Sequence, residues 1–412
     1  MNVLYIDHYA GSIEMGMEFR PYYFSKEWAK MGHSVTIVSS TYSHLRRKNP
    51  LASKDFEISE DSGVKYCWIK TVRYNSNGIK RGISLIQFVG KLFLHVRKLI
   101  NTFEPDIVIC SSTYPLDTFV GQRIKKVSKK KVKLIHEVHD MWPASLYELR
   151  DMSKKHPVVK VMGFAEKSFC KNSDYVVSIL PAAKPFLMKT GMDESKFRFI
   201  PNGVYLDEWA NPIELDETIK KHLQNEKKAG KTNICFFGSI HKTYNLDKLI
   251  NSVIEREYDD ISLTIVGPGI DRIELESASK NAGKSIRFFD PIPKRMIPSL
   301  LEYVDFVFIG ISNPVISKYG VGMNKLIDSM MGAKPIIYMV EDPMNTIEHY
   351  QCGIKVKENT VEALSMAIDN ALKLSEDDRK LMGENAKETV LKYYNYSETS
   401  KVFANLFDEP IS

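Results

Sequence analysis

Residues 318–337 read KYGVGMNKLIDSMMGAKPII, the order of a bare loop, a helix and a buried strand. Gly320 and Gly322 leave the backbone uncovered ahead of Asn324, whose side-chain oxygen can cap a helix. The amides of Lys325, Leu326 and Ile327 then lie in a first turn with no partner inside the helix. Unpaired amides and the positive end of the helix dipole point the same way there, which suits phosphate. Asp328 follows about one turn after Asn324. From there its carboxylate could take both hydroxyls of a ribose whose diphosphate rests on the amides. Gly332, Lys334 and Pro335 end the helix and open the apolar run Pro335–Val340. A phosphate cradle beside a diol acceptor is what a nucleotide-sugar site requires; the alternative is an ordinary capped helix with a solvated Asp.

Working outward, the same alternation fills the chain. Val3–Ile6, Ser34–Val38, Ile107–Cys110, Lys133–Ile135, Tyr175–Ser178 and Arg198–Ile200 read as strands, with helices such as Pro21–Met31 and Val158–Asn172 between them. A polar, lysine-rich stretch over 207–232 reads as a linker. Strands then resume at Ile234–Phe237, Leu263–Val266, Ile286–Phe289, Phe306–Ile309 and Pro335–Val340, separated by helices over 245–255, 272–282, 294–303 and from Asn324. Strands separated by helices imply parallel pairing through right-handed crossovers. The expected fold is therefore α/β, with two doubly wound, Rossmann-like domains over 1–205 and 206–389. The helical sequence from about 390 to 412 has no strand left to alternate with and is expected to pack back on the first domain. Open parallel sheets bind ligands beyond the carboxyl ends of their strands. Two such domains facing across a cleft would place the chemistry on the loops 7–23, 136–146, 201–209, 238–245 and 267–269.

Composition narrows the class. A chain of 412 residues exceeds one average core, and 43% hydrophobic with 26% charged residues is globular composition. The net charge of +6 suits attraction to an anionic surface but is too small to argue for nucleic acid. Five cysteines, scattered and never in CxxC spacing, imply a reducing cytoplasm without disulfides or structural zinc. The start, MNVLYIDHYAG, lacks a basic segment and does not read as a signal peptide. No run approaches the roughly 20 apolar residues that span a bilayer.

GHSVTIVSS (32–40), EVHDMWP (137–143), EKSFCKNSDYVVSI (166–179), IPNGV (200–204), FFGSIHKTYNLDKLI (236–250), LTIVGPG (263–269) and MNKLIDSMMGAKPII (323–337) follow one another over nearly the whole chain. That order resembles glycosyltransferase family 4, the retaining GT-B enzymes. The start HYAGSIEMGMEFRPYY (8–23) is similar to bacterial transferases that build O-antigen, capsule or related surface glycans. The resemblance implies a nucleotide-sugar donor, UDP-linked with GDP open, and a glycan or lipid-linked acceptor. It implies no cofactor and no metal, and no DxD stands at a strand end. The donor would lie on Gly238, Lys242, Gly267, Pro291, Ile292, Asn324, Lys325, Leu326 and Asp328, with Gly16 approaching from the first domain. His139, Asp140 and Lys325 would serve catalysis, and Glu14, Glu18 and Arg20 the acceptor. Transfer would be a front-face displacement in which the departing diphosphate takes the acceptor's proton while amides and lysines hold the developing charge. The sequence departs from the family at Gly320, which stands where the first acid of its E-x7-E pattern belongs. What orients the sugar ring is thereby left open. A structural His139, an exposed Lys242 and an Asp140 that caps a helix over 142–149 are the plainer readings.

Residues 79–103 place Leu85, Val89, Leu92, Phe93, Val96 and Ile100 along one helical face, with Lys80, Arg81, Lys91, Arg97 and Lys98 beside it and a basic cluster over 125–133. That pattern suits peripheral contact with the anionic inner face of the cytoplasmic membrane; the alternative is a helix packed inward. Three rivals share parts of this reading: a nucleotide-sugar epimerase of the same build, a dinucleotide oxidoreductase and a noncatalytic sugar-nucleotide sensor. The oxidoreductase lacks a GxGxxG after the first strand.

Overall fold

The computed structural model describes residues 1–16, 19–74, 78–149, 151–257, 259–280 and 282–410. The chain forms two compact units, Met1–Pro201 with Tyr396–Ser412, and Asn202–Asn395. The expected divisions lay at 205/206 and 389/390; the chain instead passes over at Pro201 and returns at Tyr396.

The first unit holds strands β1 (Asn2–Ile6), β2 (Ser34–Ser40), β3 (Glu57–Asp61), β4 (Val64–Ile69), β5 (Ile107–Cys110), β6 (Lys133–Val138), β7 (Tyr175–Ser178) and β8 (Phe197–Phe199). They lie in the order β3-β4-β2-β1-β5-β6-β7-β8. All neighbours are parallel except β3, which pairs antiparallel with β4. β1 and β5 are apolar and buried along most of their length, as a sheet covered on both faces requires. The final helix, Tyr396–Asp408, lies against the helix Arg20–Lys30: Phe403 meets Trp28 edge-on at 5.0 Å, and Trp28 Nε1 donates to Ser400 O at 3.0 Å. Lys133 caps that helix by donating to the carbonyls of Leu406, Phe407 and Glu409.

The helical stripe over 79–103 faces the core. Helices Ile79–Leu94 and Val96–Phe103 bury Phe88, Leu92, Val96 and Leu99 against this sheet, with Val89 and Ile100 packed beside them. Lys91 pairs with Asp55 at 2.9 Å, Lys125 with Asp174 at 2.6 Å and Lys130 with Asp106 at 2.5 Å. Most of the expected lipid-facing residues therefore serve folding. What the helix Ile79–Leu94 exposes is Ile79, Ile83, Ile86, Phe93 and Leu94, of which only Phe93 belongs to the expected stripe.

The second unit is an all-parallel sheet, β11-β10-β9-β12-β13-β14, from β9 (Thr232–Phe237), β10 (Ile261–Val266), β11 (Ser285–Phe289), β12 (Phe306–Gly310), β13 (Ile336–Met339) and β14 (Gly353–Lys355). One face packs beneath the helix Asn324–Met331, the other beneath the helices Leu246–Ile254 and Val361–Lys373. The stretch 207–232 is not a linker. It contains the helix Glu217–Lys228, capped by Asp216, which accepts from the amides of Thr218 and Ile219 and buries Ile219 and Leu223 in the core. Among the described residues no helix is long and apolar enough to cross a membrane. The five cysteines are free and buried.

Candidate functional site

In the second unit β9 and β10 end side by side, and the loops beyond them interlock. Gly238 N–H donates to Val266 O at 2.9 Å, and Ile240 N–H to Pro268 O at 2.7 Å. Gly267 sits at φ +148°, where a Cβ would lie 1.9 Å from Gly238 O, so no other residue fits. Under this turn lies the Lys325 ammonium, 3.2 Å from where a Cβ on Gly238 would stand. It sits 3.6 Å from the ring centroid of Tyr244 and 4.3 Å from that of Phe236. Aromatic faces attract a cation. Even so, Nζ is buried with no hydrogen-bond partner among the described residues, and burial pulls its pKa down to about 7. An arriving anion would supply the missing partner.

The helix Asn324–Met331 begins one residue earlier than its sequence suggests. Asn324 is the first helical residue and is exposed; the cap position belongs to Met323, whose side chain makes no cap. The Leu326 and Ile327 amides turn back to Met323 O at 3.2 and 3.5 Å. Leu326 thus offers no amide, and its side chain is core. The Asn324 and Lys325 amides are the first-turn donors without a partner among the described residues. Asp328 is buried; desolvation raises its carboxyl, with Lys294 opposing the shift and Glu208 adding to it. Asn202 Nδ2 holds the Gly322 carbonyl at 3.1 Å, which ties the IPNGV segment to the glycine stretch. Asn202, Glu208, Lys294 and Tyr244 were not singled out in the sequence, because their relation to Lys325 and Asp328 is made only by folding.

Lys242 is elsewhere. Its amide donates to Asp271 at 2.7 Å and its ammonium pairs with Glu274 at 2.7 Å on the exposed surface. The cation under Gly238 is Lys325. Pro291, exposed, and Ile292, half-buried against the core, follow the end of β11.

In the first unit Arg20 is fully committed to the fold. Its Nε and Nη2 donate to Glu137 Oε1 at 2.9 and 2.8 Å, and its guanidinium also holds the carbonyls of Ile200 and Pro201. With side chains 3% and 1% exposed, this pair does not present Arg20 to an acceptor. Burial alone would raise the Glu137 carboxyl; Arg20 and its hydrogen bonds outweigh that and hold it low. Tyr5 OH and Ser111 Oγ also donate to Glu137. Having given its proton to Glu137, Ser111 Oγ can only accept from His139 Nε2, 2.9 Å away. That fixes His139 with Nε2 protonated and Nδ1 as acceptor. Burial lowers its imidazole to about 4, with Glu137 pulling the other way, so it is neutral near pH 7.

Asp140 is exposed, and the helix after it starts at Ala144, beyond Pro143. Gly16, at φ +78°, is buried against Arg47 and not held open for a ligand, while Glu14 is exposed. Glu18 lies outside the described residues. Among the described residues no cluster of three His, Cys, Asp or Glu is arranged to hold a metal ion.

Residues 15–208 match the model of Glycosyltransferase Family 4, and residues 217–389 that of Glycosyl transferases group 1. The chain is 25% identical over 368 residues to an uncharacterized glycosyltransferase of Methanocaldococcus jannaschii, covering 87% of this chain and 88% of that one. Among solved structures it is similar to sucrose-phosphate synthase from Thermosynechococcus elongatus, with a TM-score of 0.73 at 15% identity over 99% of this chain and 98% of that one. It is also similar to HepE of Anabaena in complex with UDP and glucose, with a TM-score of 0.67 at 13% identity over 100% of both chains. Two parallel-sheet units carrying these two matches make the chain a glycosyltransferase of the GT-B type. The first unit carries the family 4 match and the second the group 1 match.

Proposed function

We propose that the protein moves a sugar, with retention, from a UDP-linked donor to a glycan or lipid-linked acceptor in the making of a surface polysaccharide. The observation that carries the donor half is the Lys325 ammonium, buried without an acceptor among the described residues beneath the Gly238–Gly267 turn and at the start of the helix Asn324–Met331. A diphosphate there would receive that cation and the Asn324 and Lys325 amides, and the ribose would fall to Asp328. HepE binding UDP in a similar fold supports the choice of nucleotide. The similarity of residues 8–23 to surface-glycan transferases supports the acceptor class.

In this reading the leaving diphosphate takes the acceptor's proton, and Lys325 with the helix amides stabilises the charge that develops. Neither a metal nor a carboxylate nucleophile is required. His139, neutral and held by Ser111, steadies the transferred sugar. The first unit would serve the acceptor, through Glu14 but not Arg20. Peripheral attachment to the cytoplasmic face of the membrane would use the exposed Ile79, Ile83 and Ile86.

A panel of nucleotide sugars in a thermal-shift assay tests the reading. A ligand at a hundredfold excess over Kd stabilises by about 2.7 kcal/mol, well within detection. UDP-sugars should raise Tm in the parent protein and not in Lys325→Met. A protein that no nucleoside diphosphate stabilises would refute the assignment.

A further inference from the structure

The first unit contains a small cavity that the donor chemistry does not use. About 10 Å³ of it is open to the centre of a water molecule, room for one and no more. The end of β6, the loop that carries His139 and the helix Pro157–Asn172 supply its walls, among them His136, Trp142, Glu166 and Phe169. Two buried polar atoms of those walls, His136 Nδ1 and Trp142 Nε1, have no hydrogen-bond partner among the described residues. A buried donor or acceptor left unmatched is costly, and a buried water is a common way to match it.

The Phe169 ring stacks on His136, with centroids 3.9 Å apart and planes inclined by 14°, which holds the imidazole flat against the helix. Glu166 stands three residues before Phe169 and so shares its face of that helix. It opens the EKSFCKNSDYVVSI stretch, and no part of the donor chemistry uses it. Half-buried there, its carboxyl is pushed up to about 7, with a hydrogen bond from Thr190 and the charge of Lys167 opposing the shift. Burial and the neighbouring His139 lower the His136 imidazole to about 3 while Glu137 pulls the other way. His136 is therefore neutral near pH 7 and can accept at one ring nitrogen. Trp142 Nε1 can only donate. The walls thus offer one donor and two acceptors, which a single water meets with a lone pair and its two hydrogens.

We infer that one structural water sits in this cavity, accepting from Trp142 Nε1 and donating to His136 Nδ1 and the Glu166 carboxyl. Glu166 is through it a positioning residue for His139, since the water fastens both ends of the segment 136–142 to one helix. Ser111 Oγ, 2.9 Å from Nε2, holds the His139 ring; the water holds the segment that carries the ring. The water itself stands on the cavity and its walls. Its positioning role rests on the transferase reading above, in which His139 steadies the transferred sugar.

Crystals of the full-length protein that resolve ordered water test the site directly. One density peak is expected within about 3.2 Å of Trp142 Nε1, His136 Nδ1 and a Glu166 oxygen. A cavity without that peak overturns the inference. Turnover, read as UDP release from the UDP-sugar that most raises Tm, tests the role. Trp142→Phe and Glu166→Leu should each lower kcat by about tenfold with UDP affinity unchanged. Glu166→Gln, which still accepts from the water, should stay close to the parent. Because both residues act through one water, the double variant Trp142→Phe with Glu166→Leu should fall no further than either single one. Losses that multiply in the double variant overturn the positioning role, as do single variants as fast as the parent or a Glu166→Gln as slow as Glu166→Leu. If UDP does not bind the parent protein, the transferase reading fails and takes the positioning role with it, while the density still decides the water.

Discussion

Lys325 concentrates the electrostatics of the donor region in one side chain. Its folded pKa of about 7 lies below the ordinary 10.5, so across that window the unfolded chain holds a proton that the folded chain has shed. Stability from this group should therefore rise with pH between those values and be lost as pH falls towards the lower one. A bound diphosphate would reverse the preference and recharge the amine. UDP binding above pH 7 should then take up close to one proton, and its affinity should fall as pH rises. Calorimetry in buffers of different ionisation heat measures that uptake, which Lys325→Met should abolish. Ser111→Ala removes the acceptor of His139 Nε2, 2.9 Å away, and lets the ring turn. Turnover should fall by about tenfold to a hundredfold with UDP affinity intact, since misplacement by 1 Å can cost that much. Arg20 belongs to folding. Arg20→Met leaves Glu137 buried and unpaired, which should cost about 3–5 kcal/mol in urea unfolding. None of this was legible for Arg20: its glycine-bearing loop resembles a ligand contact, and Glu137 lies far along the chain.

At the scale of elements, the central strands and most helices could be read because apolar runs and helical spacing repeat locally. β1, β5 and β7 are short buried runs with no competing pattern. β3 escaped because EISED is an exposed edge with a single apolar residue, which leaves no alternation to detect. The helix Glu217–Lys228 escaped because Ile219 and Leu223 are its only buried residues among many lysines. Its cap is the better signal: Asp216→Ala should cost about 1 kcal/mol, read as a lower denaturation midpoint. The start of the helix at Asn324 was misplaced because Asn suits a cap by chemistry, whereas the local backbone gives that position to Met323. The interlocked glycine turn depends on one missing methyl group. Gly267→Ala would drive a carbon to within 1.9 Å of Gly238 O, so the loop over Lys325 must move. Loss of UDP binding together with a lowered Tm is the expected result.

For the whole molecule, two consecutive α/β units were legible from the order of elements, but the ownership of the chain's last residues is decided by packing. Phe403 and Ser400 belong to the first unit through Trp28, and Lys133 depends on the carbonyls that end their helix. Truncation after Asn395 should therefore unfold the first unit, with its amides losing hydrogen-exchange protection while those of the second unit keep theirs. The crossings at Pro201 and Tyr396 also set an order of manufacture. On a ribosome the second unit has its full complement of residues while the first, though translated earlier, still lacks its closing helix. The nascent amino-terminal half must wait, with the aromatic surface of Trp28 uncovered, until the helix Tyr396–Asp408 has been made. Folding of the earlier-made portion is thus tied to a helix made only after the whole second unit.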